Sequence, residues 1–221
     1  MEVTVSNTLK NIIPNFKIGV AIYNDINISE SPQMLKGRLR MFQELLFFDY
    51  VDQDIKTVPG ISEWRHVFKQ IGTDPNRYRP SNEALLRRVQ KQQYINYIHS
   101  AVDLNNFFSL QYKIPLGIYD LSLINGPVEL TLGNELDHYL AVNGRKVSLK
   151  NKLISQDKKG AFGSPYVDSQ RTAVTTKTSD ALQLIYLKPS MEVKEANKLV
   201  SSLTKMFQQI HGGDATYKVI K

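Results

Sequence analysis

Five basic residues, Arg77, Arg79, Arg87, Arg88 and Lys91, share one short stretch with a single acid, Glu83, for a local net charge of +4. The planar fork of arginine donates two hydrogen bonds at once to a phosphate, so this composition suits a polyanion such as RNA. The competing reading is a solvated helix face, or an arginine turned inward to Glu83 or Asp103. Three further groups could shape or work a pocket. Asp103 and Asn106 are three apart in a helical pattern beside apolar Val102, Leu104 and Phe107. Both types compete for backbone hydrogen bonds inside a helix, so the pair reads as a buried polar anchor that holds a loop. Gly117 closes a Pro115-Leu116-Gly117 break and Asp120 follows it. Gly117 supplies either a turn conformation or close approach of a ligand to the backbone, and Asp120 either a turn or a pocket wall. Asp168, Ser169 and Thr172 lie in a small, polar, turn-rich stretch that reads as a plain loop or as a pocket wall.

Several chemistries have no residues to carry them. The 221-residue chain has no cysteine, which removes disulfides, thiolate metal sites and a thiol nucleophile. None of the histidines, His66, His99, His138 and His211, has metal-ligand spacing to another histidine or to a carboxylate pair. No Walker loop, dinucleotide fingerprint or Gly-x-Ser-x-Gly elbow is present. No cofactor and no metal are therefore expected. The formal net charge is +7, and a second basic run, Arg145 to Lys159, sets six Lys or Arg against Asp157. No apolar run approaches the roughly 20 residues that cross a bilayer, and the start lacks the pattern of a signal peptide. The chain is expected to be soluble and cytoplasmic, without a membrane partner.

The elements that must position these residues follow from periodicity. Alternation from Phe16 to Tyr23 predicts a strand. Ser31-Pro32 predicts the start of a helix carrying Met34, Leu35, Leu39, Phe42, Leu45 and Leu46. A second helix is expected from near Pro59 to Gly72, with Trp64, Val67 and Phe68. Ser81 is expected to cap a third with Ala84 to Val89, and a fourth holds Ile95, Ile98, Val102 and Phe107. Strands are expected at Val128–Leu132, Tyr139–Val142 and Ala181–Leu187, with turns at Gly126-Pro127, Asn143-Gly144 and Gly160 to Pro165. A last helix runs from Val193 to Ile210 and ends at Gly212-Gly213. Helices concentrate in the first half and strands in the second, which predicts an α+β single domain with a mixed sheet rather than a repeating βαβ chain. The expected organisation is one globular unit, 1–221, with a core at 60–190, a strand–helix extension at 1–58 and a C-terminal helix at 191–211.

The segment Arg79-Pro80-Ser81-x-Glu83-Ala84-Leu85-x-Arg87-Arg88, then Ala101-Val102-Asp103-x-x-Asn106, then Pro115-Leu116-Gly117-x-Tyr119-Asp120, resembles the B3/4 domain of the bacterial phenylalanyl-tRNA synthetase β subunit. It is closer still to free-standing proteins built from that domain. The resemblance implies an editing module that hydrolyses a wrongly attached aminoacyl ester with a positioned water, and without a covalent nucleophile, metal or ATP. It implies the acceptor end of an aminoacylated tRNA as partner, an aminoacyl-tRNA synthetase as a second one, and no aminoacylation activity of its own. Arg77, Arg79, Arg87, Arg88 and Lys91 would meet RNA. Asp103, Asn106, Gly117, Asp120, Ser169 and Thr172 would form the pocket. The family's pocket histidine falls on Gly117, and its pocket glutamate maps to the segment Gly163 to Ser169, where Asp168 is the nearest acid. Asp168 is thus the expected catalytic residue. The missing imidazole would open the pocket to another amino acid, or leave a non-catalytic module that binds tRNA or an amino-acid-like ligand.

Overall fold

The computed structural model describes residues 1–221 and shows an α+β domain of three layers. Its middle layer is an antiparallel sheet of β2 (Ile18–Asn24), β3 (Leu116–Asp120), β9 (Ala181–Tyr186) and β10 (Asp214–Ile220), in the order β10-β2-β9-β3. A second sheet packs on one face in the order β1-β4-β7-β8, from β1 (Val3–Val5), β4 (Val128–Leu132), β7 (Leu153–Asp157) and β8 (Gly160–Gly163). Only its β1–β4 pair is parallel. Helices α2 (Gln33–Tyr50), α4 (Ser81–Gln90), α5 (Ser100–Tyr112) and α6 (Val193–His211) cover the other face. The short α1 (Asn7–Ile12) and α3 (Ile61–Gln70) pack with the second sheet, and β5 (His138–Leu140) and β6 (Lys146–Ser148) form a separate hairpin.

The centre of the middle sheet is buried on both faces, so β9 shows no exposed residue despite its period of two, while edge strand β10 is largely exposed. Ala181 and Ile185 meet the helices, while Leu182, Leu184 and Tyr186 meet the second sheet and Trp64 of α3. Along β3, Leu116 and Ile118 face the helices and Tyr119 faces the second sheet. Residues 1–58 do more than extend a core, because β2 pairs on both sides, with β9 and with β10.

Four boundaries differ from expectation. Helix α2 starts at Gln33, and Ser31 does not cap it; its Oγ donates instead to Asp103 Oδ2 (2.5 Å). Ser81 is the first residue of α4 rather than its cap, and its N–H donates to the carbonyl of Pro165 (2.8 Å). Helix α5 begins at Ser100, not near Ile95. Residues 95–98 stay extended because tertiary partners take their backbone donors: Ile95 N–H goes to Gln43 Oε1 (2.7 Å) and Ile98 N–H to Asp103 Oδ1 (2.9 Å). Past Gly212-Gly213 the chain turns back into β10, a strand the helix-ending glycines gave no sign of.

Candidate functional site

The largest of the principal cavities, about 610 Å³, lies between the helical layer and the end of the second sheet. Two helices give it walls of the same design. On α4 the lining residues are Ser81, Ala84, Leu85 and Arg88; on α5 they are Val102, Asn105, Asn106 and Ser109. Each set follows i, i+3, i+4, i+7, the spacing of one helix face. Leu116, Ile118 and Tyr119 of β3 close a third side, and the segments Tyr166–Asp168 and Ala173–Val174 a fourth. The walls mix aliphatic side chains with polar ones, among them Ser81, Arg88, Asn105, Asn106 and Asp168.

Asp168 is the acid inside. Its Oδ1 accepts from Tyr119 Oη (2.8 Å) and from the N–H of Ser164 (3.2 Å). Its Oδ2 takes no bond from the protein and is not sealed off from the cavity. The residue keeps some open surface while its carboxyl is enclosed, and burial of the carboxyl raises its pKa from 3.8 to about 7, against the lowering effect of the two hydrogen bonds. Burial first, and then the Asp168 carboxyl, push the Tyr119 hydroxyl well above its ordinary range, so Tyr119 stays a donor. The segment carrying Asp168 is fixed at both ends. Tyr166 N–H donates to Ser164 Oγ (3.2 Å), Ser169 N–H to the carbonyl of Phe162 (2.9 Å), and Pro165 receives the start of α4.

Gly117 does not open the cavity. A Cβ there would lie 2.0 Å from Tyr119 Oη and 2.5 Å from its Cζ, and one at Gly163 would lie 2.3 Å from the same oxygen. The Tyr119 hydroxyl fills the space above both glycines and carries the hydrogen bond to Asp168. Sequence reasoning missed Tyr119, although it stands two residues from Gly117 and hence on the same strand face.

Other predicted pocket residues fall elsewhere. Asp103 is fully buried on another side of α5, where its carboxylate joins Ser31 and Ile98 N–H; it is the loop anchor, not a lining group. Asp120 accepts from Ser122 N–H (3.0 Å) and from Thr178 Oγ1 (2.5 Å), as a turn residue away from the cavity. Ser169 and Thr172 are buried behind the lining with unpartnered hydroxyls. Asn106 lines the cavity.

Two lining residues carried no sequence signal. Asn105 ends a buried relay in which Tyr23 Oη donates to Gln183 Oε1 (2.8 Å), Gln183 Nε2 to Asn105 Oδ1 (2.9 Å) and Asn105 Nδ2 to the carbonyl of Leu116 (3.2 Å). This fixes the amide that faces the cavity. His99 caps α5, accepting from Val102 N–H at Nδ1 (3.5 Å), which leaves Nε2–H for the carbonyl of Val174 (3.2 Å).

The basic group divides. Arg87 is turned inward: its Nε donates to Glu83 Oε1 (2.8 Å), and the same buried carboxylate takes Arg65 (2.8 Å). Arg88 is exposed at the cavity edge, and Arg77, Arg79 and Lys91 are exposed. Arg77 gains a companion that the local stretch did not reveal. Lys152 Nζ sits 3.8 Å from the centre of the Tyr78 ring, over which Arg77 also lies (5.2 Å). Burial and the nearby Arg77 draw the Lys152 ammonium below its ordinary pKa. Tyr78 meets the cavity-lining Tyr166 edge-on (5.5 Å), so this cationic corner adjoins the chamber.

The site is a half-apolar chamber in an α+β domain, with one enclosed acid and a cationic edge. The B3/4 domain model matches residues 63–210, and the chain belongs to that family. It is 36% identical over 216 residues to the uncharacterized protein YhzB of Bacillus subtilis strain 168, covering 98% of both chains. It is also 27% identical over 104 residues to the phenylalanine–tRNA ligase β subunit of Pseudomonas savastanoi, which is 46% of this chain but 13% of that subunit. An N-terminal fragment of the phenylalanyl-tRNA synthetase β-subunit from Pyrococcus horikoshii aligns over 100% of this chain and 54% of the fragment, with 12% identity and a TM-score of 0.48. No helix is long and apolar enough to cross a membrane.

Proposed function

We propose that the chain is a stand-alone editing domain that takes the acceptor end of a mischarged tRNA into the cavity and hydrolyses the aminoacyl ester. One observation carries the reading: Asp168 is held in the chamber by Oδ1 while Oδ2 stays without a protein partner. A water bound to Oδ2 gives up a proton as it adds to the ester carbonyl carbon. The bond to the ribose oxygen then breaks, and that oxygen takes the proton. The products are a free amino acid and a tRNA with its terminal hydroxyl restored. A carboxyl whose pKa is about 7 is matched to receiving and returning a proton near neutrality. Arg88 at the edge and exposed Arg77 would meet the phosphates, with the buried Lys152 adding charge behind Arg77, while Arg87 is already committed to Glu83. Arg79 and Lys91 supply further exposed charge for the same polyanion in the cytoplasm.

Deacylation of tRNAs charged with correct and incorrect amino acids, tyrosine on phenylalanine tRNA included, tests this. Hydrolysis of a mischarged species, with its correct counterpart spared and with loss of turnover in Asp168→Asn, is the expected result. Tight tRNA binding without hydrolysis of any species would replace it with a binding module. Tyr119 favours that second reading, since its hydroxyl occupies the space over Gly117 where the family's imidazole is expected.

A further inference from the structure

Helix α2 has one face that nothing within the chain explains. Leu35, Leu39, Gln43 and Leu46 are buried, yet Met34, Met41, Leu45, Phe48 and Val51 are 81%, 71%, 56%, 74% and 43% exposed. With Gly37 they form the series 34, 37, 41, 45, 48, 51, whose steps of three and four keep them on one helix face, as in a seam between two helices. If each bare side chain carries roughly 150–200 Å², the stripe exposes on the order of 500 Å², the upper end for the largest apolar patch of a monomer.

The charges around the stripe are polarised. Exposed Arg38 and Arg40 lie in the first half of α2, and Glu44, Asp49 and Asp52 in its second half or just beyond, while Lys36 is turned to Glu30 of its own chain. No acid stands in the first turn and no base in the last. The helix macrodipole favours the opposite layout, so this one weakens the isolated helix. Gly37 adds a third anomaly. A Cβ there would meet nothing within 4 Å, so no contact in the chain requires glycine. In mid-helix it costs about 1 kcal/mol relative to alanine.

We propose that α2 docks antiparallel against α2 of a second copy of this chain. Twofold symmetry then sets the basic first half of each helix against the acidic second half of the other, twice over. A parallel pair would join like charges. The register that seats Phe48 over Gly37 of the second copy also sets Met34 against Val51, so the missing side chain becomes a hole for a phenyl knob. Tyr97, 42% exposed, lengthens the seam, since its Oη donates to the carbonyl of Lys36 (2.9 Å). Together with the flanking charges this approaches the ~800 Å² per partner of a specific dimer. The adjacent Ile98 lines the cavity, so the second copy borders the chamber.

Sedimentation equilibrium of the full chain over a wide concentration range tests the docking. The wild type is expected to dimerise, and Phe48→Glu to weaken the dimer by about tenfold or more while the melting temperature of the monomer holds. Gly37→Ala is expected to strengthen the monomer yet weaken the dimer, a split that a purely local role would not produce. Arg38→Glu/Arg40→Glu and Asp49→Lys/Asp52→Lys are each expected to be monomeric and to form a heterodimer when mixed. A wild type that stays monomeric, a dimer indifferent to Phe48→Glu, or swapped variants that fail to pair would overturn the proposal. So would a monomer whose stripe captures a synthetase subunit instead.

Discussion

Replacing Asp168 by asparagine is expected to raise the stability of the fold above neutrality while abolishing ester hydrolysis. The native carboxyl keeps its proton up to a pH of about 7, whereas in the unfolded chain it ionises near 3.8. Between those values the folded state holds a proton that the unfolded state has lost, so stability falls as pH rises through the window. A shift of about three units at about 1.4 kcal/mol each gives ~4 kcal/mol, and water entering the open chamber trims this to ~2–4 kcal/mol. Asparagine cannot ionise, and its Oδ1 can still accept from Tyr119 and from the Ser164 N–H. Asp168→Asn should therefore match the wild type near pH 4 and exceed it by ~2–4 kcal/mol near pH 8. Urea unfolding followed through the single, fully buried Trp64 reads the difference, as a midpoint raised by about 1 M or more. All other titrating groups are common to both proteins and cancel. Parallel stability–pH curves for the two would refute the enclosed, near-neutral carboxyl, and with it the proton transfer assigned to Asp168.

Gly117→Ala places a methyl 2.0 Å from Tyr119 Oη, and should cost about 1–3 kcal/mol in thermal or urea unfolding as the ring is driven from Asp168. Unchanged stability and turnover would show that Tyr119 does not fill that space. Glu83→Gln leaves Arg65 and Arg87 without their buried counter-ion and should destabilise by about 3–5 kcal/mol in urea unfolding. Arg88→Ala should weaken tRNA binding and lower its salt slope by about 1, while Arg87→Ala leaves that slope unchanged; binding isotherms over a salt series separate the two.

The chamber's helical walls were the most legible part of the site. Arg77 to Asp120 carries both lining faces and β3, and periodicity assigned Ala84 and Leu85 to one helix and Val102 to the next, but it paired Asn106 with Asp103, which lies on another side of α5. Periodicity failed at Ile95 and Ile98, which match helical spacing but stay extended because Gln43 and Asp103 claim their amides. Charge counting could not tell Arg87 from Arg88. They are neighbours in sequence, yet only Arg87 lies four residues after Glu83 and faces it across one helical turn. Lys152 was hidden for the reverse reason: its companion Arg77 is remote in sequence, and only the fold sets both on Tyr78. Strand β10 follows two glycines that end a helix, and a helix stop does not say what comes next.

The resemblance that puts Gly117 at the family's histidine position describes what is missing and not what replaces it. The replacement needs three elements at once. Gly117 on the middle sheet and Gly163 on the second sheet both lack the side chain that would exclude a hydroxyl, and Tyr119 supplies the hydroxyl that reaches Asp168. Each glycine alone reads as a turn or a weak strand position, and only the stacking of the two sheets gives them a shared purpose. The arrangement is also costly. A carboxyl enclosed strongly enough to hold its proton to about pH 7 lowers the stability of the fold at neutrality, and asparagine would keep both hydrogen bonds without that loss. A chain shaped by stability alone has no reason to retain aspartate there. The proposed ester hydrolysis would give it one, since that reaction needs a group that passes a proton to and from the ester, and the same carboxyl would then account for the energetic weakness and the chemistry together.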